Sequence, residues 1–207
     1  MEGTLRFGES FQSIGTLPSA EELLSAQDPA LGLIIAIQCD RWPEKPSEDP
    51  LWGLLRIVMA QQLSTVVACR LAERALHADP RLRRPSFESI PDVDSLRRIG
   101  LSESRARCCI DIVTRSDEFR RRANDGEDWA QILNGIKGIG PWTIQVFRIM
   151  VLREPDILPL KDIGLERAIS KVYGPTADIT ELSENWRPYR SVACWYLWRT
   201  LGNMQLG

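Results

Sequence analysis

The segment Gly135-Ile-Lys-Gly-Ile-Gly-Pro-Trp-Thr143 constrains this chain more than any other. A short helical stretch marked by Trp129, Ile132 and Leu133 ends near Asn134. Three glycines follow, then Pro141, then a largely apolar run over 143–152. Glycine admits positive φ and lets a second backbone come close. Proline has no N–H to lose at the first turn of a helix. The unpartnered N–H groups at that helix start then face outwards and suit an anion such as a phosphate. Taken alone, the pattern fits a plain glycine-rich turn between two helices. It equally fits a hairpin that holds one strand of nucleic acid by its backbone without reading bases.

The remaining sequence reads as helix nearly throughout. Ser19 is a candidate N-cap, Asp28-Pro29 restarts a helix, and 51–60 is apolar on almost every side, as a core helix is. The Pro-rich, polar stretch 40–50 marks a lobe boundary. Ser64 is placed to cap a helix over 65–77, and 78–92 reads as a loop. A short helix over Ser95–Ile99 should end at Gly100, and Ser102 should cap one long helix to about Arg122. The stretch Pro155–Pro159 is extended, Asp162–Lys171 is helical, and Pro188–Leu201 is the last helix. No alternation of apolar and polar residues runs long enough for a sheet, so the fold class is all-α.

Composition removes several chemistries. The single histidine, His77, excludes a His-rich zinc site. The four lysines, Lys45, Lys137, Lys161 and Lys171, leave few candidates for Schiff-base catalysis. Five cysteines (Cys39, Cys69, Cys108, Cys109, Cys194) with no Cys-x-x-Cys pair read as buried thiols of a reducing compartment. A net charge of −2 argues against a bulk polycation but leaves room for a local basic face, built almost wholly from Arg. The first 17 residues lack a basic stretch followed by an apolar one, and the run Leu33–Ile37 is too short to span a bilayer. A soluble, cytoplasmic or otherwise intracellular protein with no membrane partner is expected.

Asp162 stands at a loop-to-helix boundary, 20 residues beyond Trp142. Alone it is most simply an N-cap. A catalytic carboxylate is compatible with that role, because a helix start holds the group rigidly. Asp156 is the nearest rival, but it lies on the extended stretch and is set aside.

At this point the sequence resembles the helix-hairpin-helix DNA glycosylases, on the 3-methyladenine glycosylase II branch. The segments that carry the likeness are Met59-Ala-Gln-Gln-Leu-Ser64, Gly100-Leu-Ser102 with Arg105, Ile136-Lys-Gly-Ile-Gly-Pro-Trp-Thr143, Leu158-Pro-Leu-Lys-Asp-Ile-Gly-Leu165, and Trp186-Arg-Pro-Tyr-Arg-Ser191 with Trp195-Tyr-Leu-Trp198. They span about residues 28–203. With some 27 residues ahead of the match, no counterpart is expected of the β domain that precedes the helical core in some members.

The resemblance implies a two-lobed helical bundle. Residues 1–27 would be an N-terminal extension, lobe one would cover about 50–125, and lobe two about 28–49 plus 126–207. It implies a monofunctional glycosylase of base excision repair. Such an enzyme hydrolyses the N-glycosidic bond of alkylated bases such as 3-methyladenine and 7-methylguanine in double-stranded DNA, with the damaged base flipped out. The alternatives are a glycosylase for deaminated or oxidised bases, or a non-catalytic DNA-binding module. By the same likeness Asp162 is the catalytic carboxylate, and Trp142 and Trp198 line the base pocket, with Trp195 and Tyr196 less clearly assigned. Gln62, with Leu63, wedges into the duplex, and Gly138, Ile139 and Gly140 hold phosphate. Backbone carbonyls of Asn134, Ile136 and Ile139 would bind a structural Na or K ion. No cofactor is implied for catalysis. Trp142 occupies the place of the Schiff-base lysine of bifunctional relatives, and the four closely spaced cysteines of an iron–sulfur cluster are missing. Arg105, Arg187 and Arg190 are candidates for the DNA face, and a monomer is expected.

Overall fold

The computed structural model describes residues 18–43, 49–61, 63, 65–86 and 91–202. Twelve α-helices lie among them, with one 3-10 turn at Pro80–Arg83 and no strand among the described residues. None of these helices is long and apolar enough to cross a membrane. In order they are α1 (Ala20–Gln27), α2 (Pro29–Ile37), α3 (Pro50–Ala60), α4 (Thr65–Ala78), α5 (Val93–Arg98), α6 (Glu103–Thr114), α7 (Ser116–Asn124), α8 (Trp129–Ile132), α9 (Pro141–Met150), α10 (Ile163–Tyr173), α11 (Ile179–Glu184) and α12 (Arg190–Arg199).

Local chemistry sets most of the starts. Ser19 and Glu22 form a reciprocal capping box at α1. Asp28, Asp49, Asp92, Asp128, Asp162 and Asp178 each place a carboxylate on a first-turn N–H of the helix that follows. Three departures from the sequence reading stand out. The expected single helix from Ser102 to Arg122 is two, broken at Arg115, whose φ of −98° and ψ of 9° leave the helical region. No glycine or proline announces that break; it turns Phe119 fully into the core. Helix α5 starts before Ser95 because Asp92, not a later residue, is its cap. Helix α11 was absent from the sequence reading. The expected cap Ser64 lies outside the described residues.

Helix α3 is the pivot of the molecule. It packs on α4 and α6 on one side and on α9 on the other. Eight of its residues are buried, Leu51–Leu55 and Ile57–Met59, which explains an apolar surface on nearly every face. Helix α12 has the same role in the other half: Ser191–Trp198 are all buried, between α2, α10 and α1. Burying each large apolar side chain is worth about 1.5–3 kcal/mol.

The N-terminal helices fold back onto the C-terminal half. Asp28 accepts from the Trp186 indole N–H (2.8 Å) and the Tyr173 hydroxyl (2.7 Å). Gln38 donates to the Tyr196 carbonyl and accepts from Arg199, which also pairs with Asp40. Helix α1 joins this assembly through α2, α12 and a hydrogen bond that the Tyr196 hydroxyl donates to Glu21.

Candidate active site

The carboxylate of Asp162 is held from three directions. It caps α10, with Oδ1 accepting the Leu165 N–H at 2.5 Å. The same oxygen accepts the Trp198 indole N–H at 2.8 Å, and Oδ2 accepts the Trp142 indole N–H at 2.5 Å. A carboxylate offers about four lone-pair directions; three are taken, and Oδ2 is the less committed oxygen. The positive end of the α10 dipole lies against the group. Asp162 retains 7% of its exposure and Trp198 4%, whereas Trp142 is only half-buried. Around this buried centre the neighbours are exposed: Leu160, Lys161 and Ile163, the last at 63%. Apolar Ile163 is thus exposed next to a buried carboxylate.

Gly164 belongs to this geometry and was not singled out in the sequence. A Cβ on it would lie 3.0 Å from Asp162 Oδ1 and 3.6 Å from the Trp198 ring. The glycine therefore lets the carboxylate and the indole meet. Its signal in the sequence is a glycine inside the first turn of a helix, where propensity disfavours it.

The loop from α9 to α10 that delivers Asp162 is fastened on both sides. On the α9 side, Arg148 pairs with Glu154 and Gln145 donates to the Leu158 carbonyl at 3.3 Å. On the α12 side, the buried Ser191 accepts the Ile157 N–H at 2.8 Å, and its own N–H donates to the Pro155 carbonyl at 2.9 Å. Arg190 donates through Nε and Nη2 to Asp156 at 2.6 and 3.0 Å. Burial works against the Asp156 charge, but the hydrogen bonds and charge of Arg190 outweigh it and hold the carboxyl below its usual range. Asp156 is thus a fastening, and Arg187, 3.4 Å from it and paired with Glu184, shares that work. Arg187 and Arg190 were expected at a DNA face; both are engaged in these pairs.

The hairpin leads from α8 to α9. Gly135 and Gly138 have φ of 82° and 99°, the left-handed region that glycine tolerates. Gly138 also lies tight on α6, where a Cβ would come within 3.1 Å of Cys108 Sγ. Gly140 is the N-cap of α9, offers no side-chain cap, and has open space where a Cβ would stand. Pro141 and Trp142 open α9, and this places the Trp142 indole against Asp162. The hairpin residues Gly138, Ile139 and Gly140, expected to hold phosphate, and the carboxylate are therefore linked through one helix start. Among the described residues, no main-chain N–H bonds to the Asn134 or Ile139 carbonyl, while the Ile136 carbonyl accepts from Ile139 at 3.1 Å. No group of three His, Cys, Asp or Glu side chains is placed to hold a metal ion there or elsewhere among the described residues.

The other sequence candidates are spread differently. Leu63 is half-buried against the core, while Gln62 lies outside the described residues. Trp195 and Tyr196 both belong to the core: Trp195 packs edge-on to Trp42, and Tyr196 is capped by Glu21. Trp52 is core as expected. Arg105 is half-buried; Arg120 and Arg122 pair with Asp49 and with Glu118 and Glu127. Cys108, Cys109 and Cys194 are buried, and burial pushes the Cys108 thiol up to about 11, whereas Cys39 is exposed.

No family model matches the chain. It is 33% identical over 165 residues to a putative DNA-3-methyladenine glycosylase of Bacillus subtilis, YfjP, covering 72% of this chain and 58% of that protein. It is 28% identical over 214 residues to DNA-3-methyladenine glycosylase 1 of Schizosaccharomyces pombe, covering 95% and 93%. Among solved structures, the Schizosaccharomyces pombe 3-methyladenine DNA glycosylase in complex with abasic DNA superposes with a TM-score of 0.73 at 24% identity, over 91% of this chain and 98% of that one. The chain thus spans a little over half the length of the Bacillus relative and nearly all of the yeast one.

Proposed function

Because the chain belongs to the helix-hairpin-helix DNA glycosylase superfamily, on its 3-methyladenine glycosylase branch, we propose that it hydrolyses the N-glycosidic bond of alkylated bases in duplex DNA and leaves an abasic site. The observation that carries this reading is the Asp162 carboxylate, buried beside exposed residues and fixed by two indoles and a helix start.

The chemistry follows from the substrate. Bases such as 3-methyladenine and 7-methylguanine carry positive charge and leave readily. The enzyme has mainly to stabilise the positive charge that grows on the sugar as the bond lengthens. A carboxylate fixed in advance in a water-poor pocket does so without reorganising, and its less committed Oδ2 is available to orient the attacking water. Trp142, half-buried, offers an aromatic face to the cationic base, a contact worth roughly 0.5–2 kcal/mol. Trp198, almost wholly enclosed, serves the carboxylate. With Trp142 at the head of α9 and no lysine there, the reaction uses water and stops at the abasic site.

Extruding the base costs a few kcal/mol, less at a weakened pair. Leu63 and Gln62 are assigned to the gap it leaves. The hairpin N–H groups of Gly138–Gly140 hold the flanking phosphate, with the carbonyls of Asn134, Ile136 and Ile139 as the donors that would hold a Na or K ion; such an ion would supply positive charge towards phosphate and takes no part in bond cleavage. Double-stranded DNA is the partner, bound by a monomer inside the cell.

The test is release of free base. Methylated duplex DNA should yield free 3-methyladenine or 7-methylguanine, with little release from deoxyinosine or 8-oxoguanine duplexes, and borohydride should trap no protein on DNA. Preferential release of hypoxanthine or 8-oxoguanine would redirect the substrate assignment. A trapped adduct would overturn the water mechanism.

A further inference from the structure

Gln61 is held in a way that neither helix capping nor core packing requires. It ends α3, with φ of −49° and ψ of 130°, and its N–H still reaches back to the Ile57 carbonyl. Its side chain leaves the helix and crosses to the hairpin. Nε2 donates to the Gly138 carbonyl at 3.0 Å and to the Thr143 hydroxyl at 3.0 Å. A carbonyl can only accept, so the amide nitrogen must face Gly138. Gly138 is in turn pinned from below, because Cys108 lies where its side chain would be. Thr143 is buried in the first turn of α9. Two residues further on from Gln61, Leu63 is held by its N–H on the Ala60 carbonyl and packs on the core.

We propose that Gln61 is a positioning residue that couples the loop entering the duplex to the hairpin that grips the strand. The proposal rests on the functional reading above, in which residues 62–63 fill the gap and Gly138–Gly140 hold phosphate. One amide joins the two, since Gln61 is the residue immediately before the loop and bonds to a hairpin carbonyl and to α9. Pushing the base out and holding its backbone then act from a single rigid frame. Orientation of this kind is worth rate because a small misplacement of either element forfeits the near-attack geometry. The coupling matters only where a stacked base has to be displaced. A base in single-stranded DNA needs no wedge, so it should not feel the loss of Gln61.

The experiment compares Gln61→Met, which keeps an unbranched side chain of similar length, with Thr143→Val, which removes one acceptor and keeps its shape. Release of 7-methylguanine is followed from methylated duplex DNA and from the same DNA held single-stranded. Gln61→Met should lower the rate on duplex about tenfold or more, the loss expected when an oriented contact is broken, and leave the single-strand rate within a factor of about two. Thr143→Val should fall between Gln61→Met and wild type. Melting temperatures should move by less than about 4 °C, a small shift for a chain of this size. Equal losses on both forms of DNA, or losses that track the melting temperature, would overturn the coupling while leaving the glycosylase reading intact. A wild-type protein that releases no methylated base from either form would instead overturn the glycosylase reading, and the coupling with it.

Discussion

Two aspartates in this chain are held by the same device. Asp28 and Asp162 each cap a helix, and each accepts an aromatic indole N–H besides the backbone donor. Both are 7% exposed, so burial does not distinguish them. Their surroundings do. Asp28 is closed off by Tyr173 and Trp186, and burial together with the Asp28 charge holds the Tyr173 phenol well above its ordinary range. Asp162 instead sits between exposed Leu160, Lys161 and Ile163, with a half-buried tryptophan from the hairpin as its third donor. The first ties the N-terminal helices to α10 and to Trp186, and the second stands beside exposed residues, as the proposed catalytic role requires. Gly164 makes the second arrangement possible. Gly164→Ala should push its methyl onto Oδ1 and lower the single-turnover excision rate at least about tenfold, as displaced catalytic groups do. Helix propensity would by itself favour alanine there by about 1 kcal/mol, so urea denaturation should show little loss of stability. A normal rate would mean that the carboxylate has slack that the geometry does not suggest.

At the scale of elements, the site is a loop clamped between two helices. The clamp on α12 is a serine and an arginine at its first turn, and α12 itself is fixed by burial from Ser191 to Trp198. Ser191→Ala removes the acceptor of the Ile157 N–H inside the protein. Leaving that donor unpaired should cost about 1–3 kcal/mol, read as a lower urea midpoint. Excision should fall with it, because the loop that carries Asp162 loosens. This is also where the sequence was least legible. Asp162 stands at a loop-to-helix boundary and Trp142 in a Gly-Pro-Trp hairpin, patterns that by themselves read as an N-cap and a turn; the likeness to the glycosylases singled them out, with Trp198. Gln61, Gly164 and Ser191 matter because segments 34 to 77 residues apart meet. No spacing rule reports such a meeting. The break at Arg115 and the six-residue α11 were missed for a related reason: packing of Phe119 and capping by Asp178 decide them, not periodicity.

For the whole molecule, the arginine-rich composition has a plainer use than the opening charge count implied. Many arginines are spent on ion pairs within the protein: Arg115, Arg120, Arg122, Arg148, Arg187, Arg190 and Arg199 all reach carboxylates. A hairpin proposed to grip anions through backbone N–H groups needs no bulk positive charge, and a net charge of −2 is compatible with DNA as partner. The same enclosed core sets a pH limit. Burial and the Glu21 carboxylate push the Tyr196 phenol up to about 12, and burial and Asp111 push the Cys108 thiol up to about 11. Both folded values lie above the unfolded ones, so their contribution is whole below about pH 8.5 and is lost as pH rises through the folded values. The melting temperature should therefore decline steadily between about pH 9 and 12. A flat profile over that window would mean that these groups ionise without opening the core.

Whether Asp162 stabilises the charge that grows on the sugar is decided by Asp162→Asn. Asparagine is as good an N-cap as aspartate, so the fold should survive. The variant should bind a duplex carrying a stable abasic analogue about as well as the wild type, and should release 7-methylguanine in single turnover more slowly by about a hundredfold to a thousandfold or more. Release at close to the wild-type rate would contradict the account.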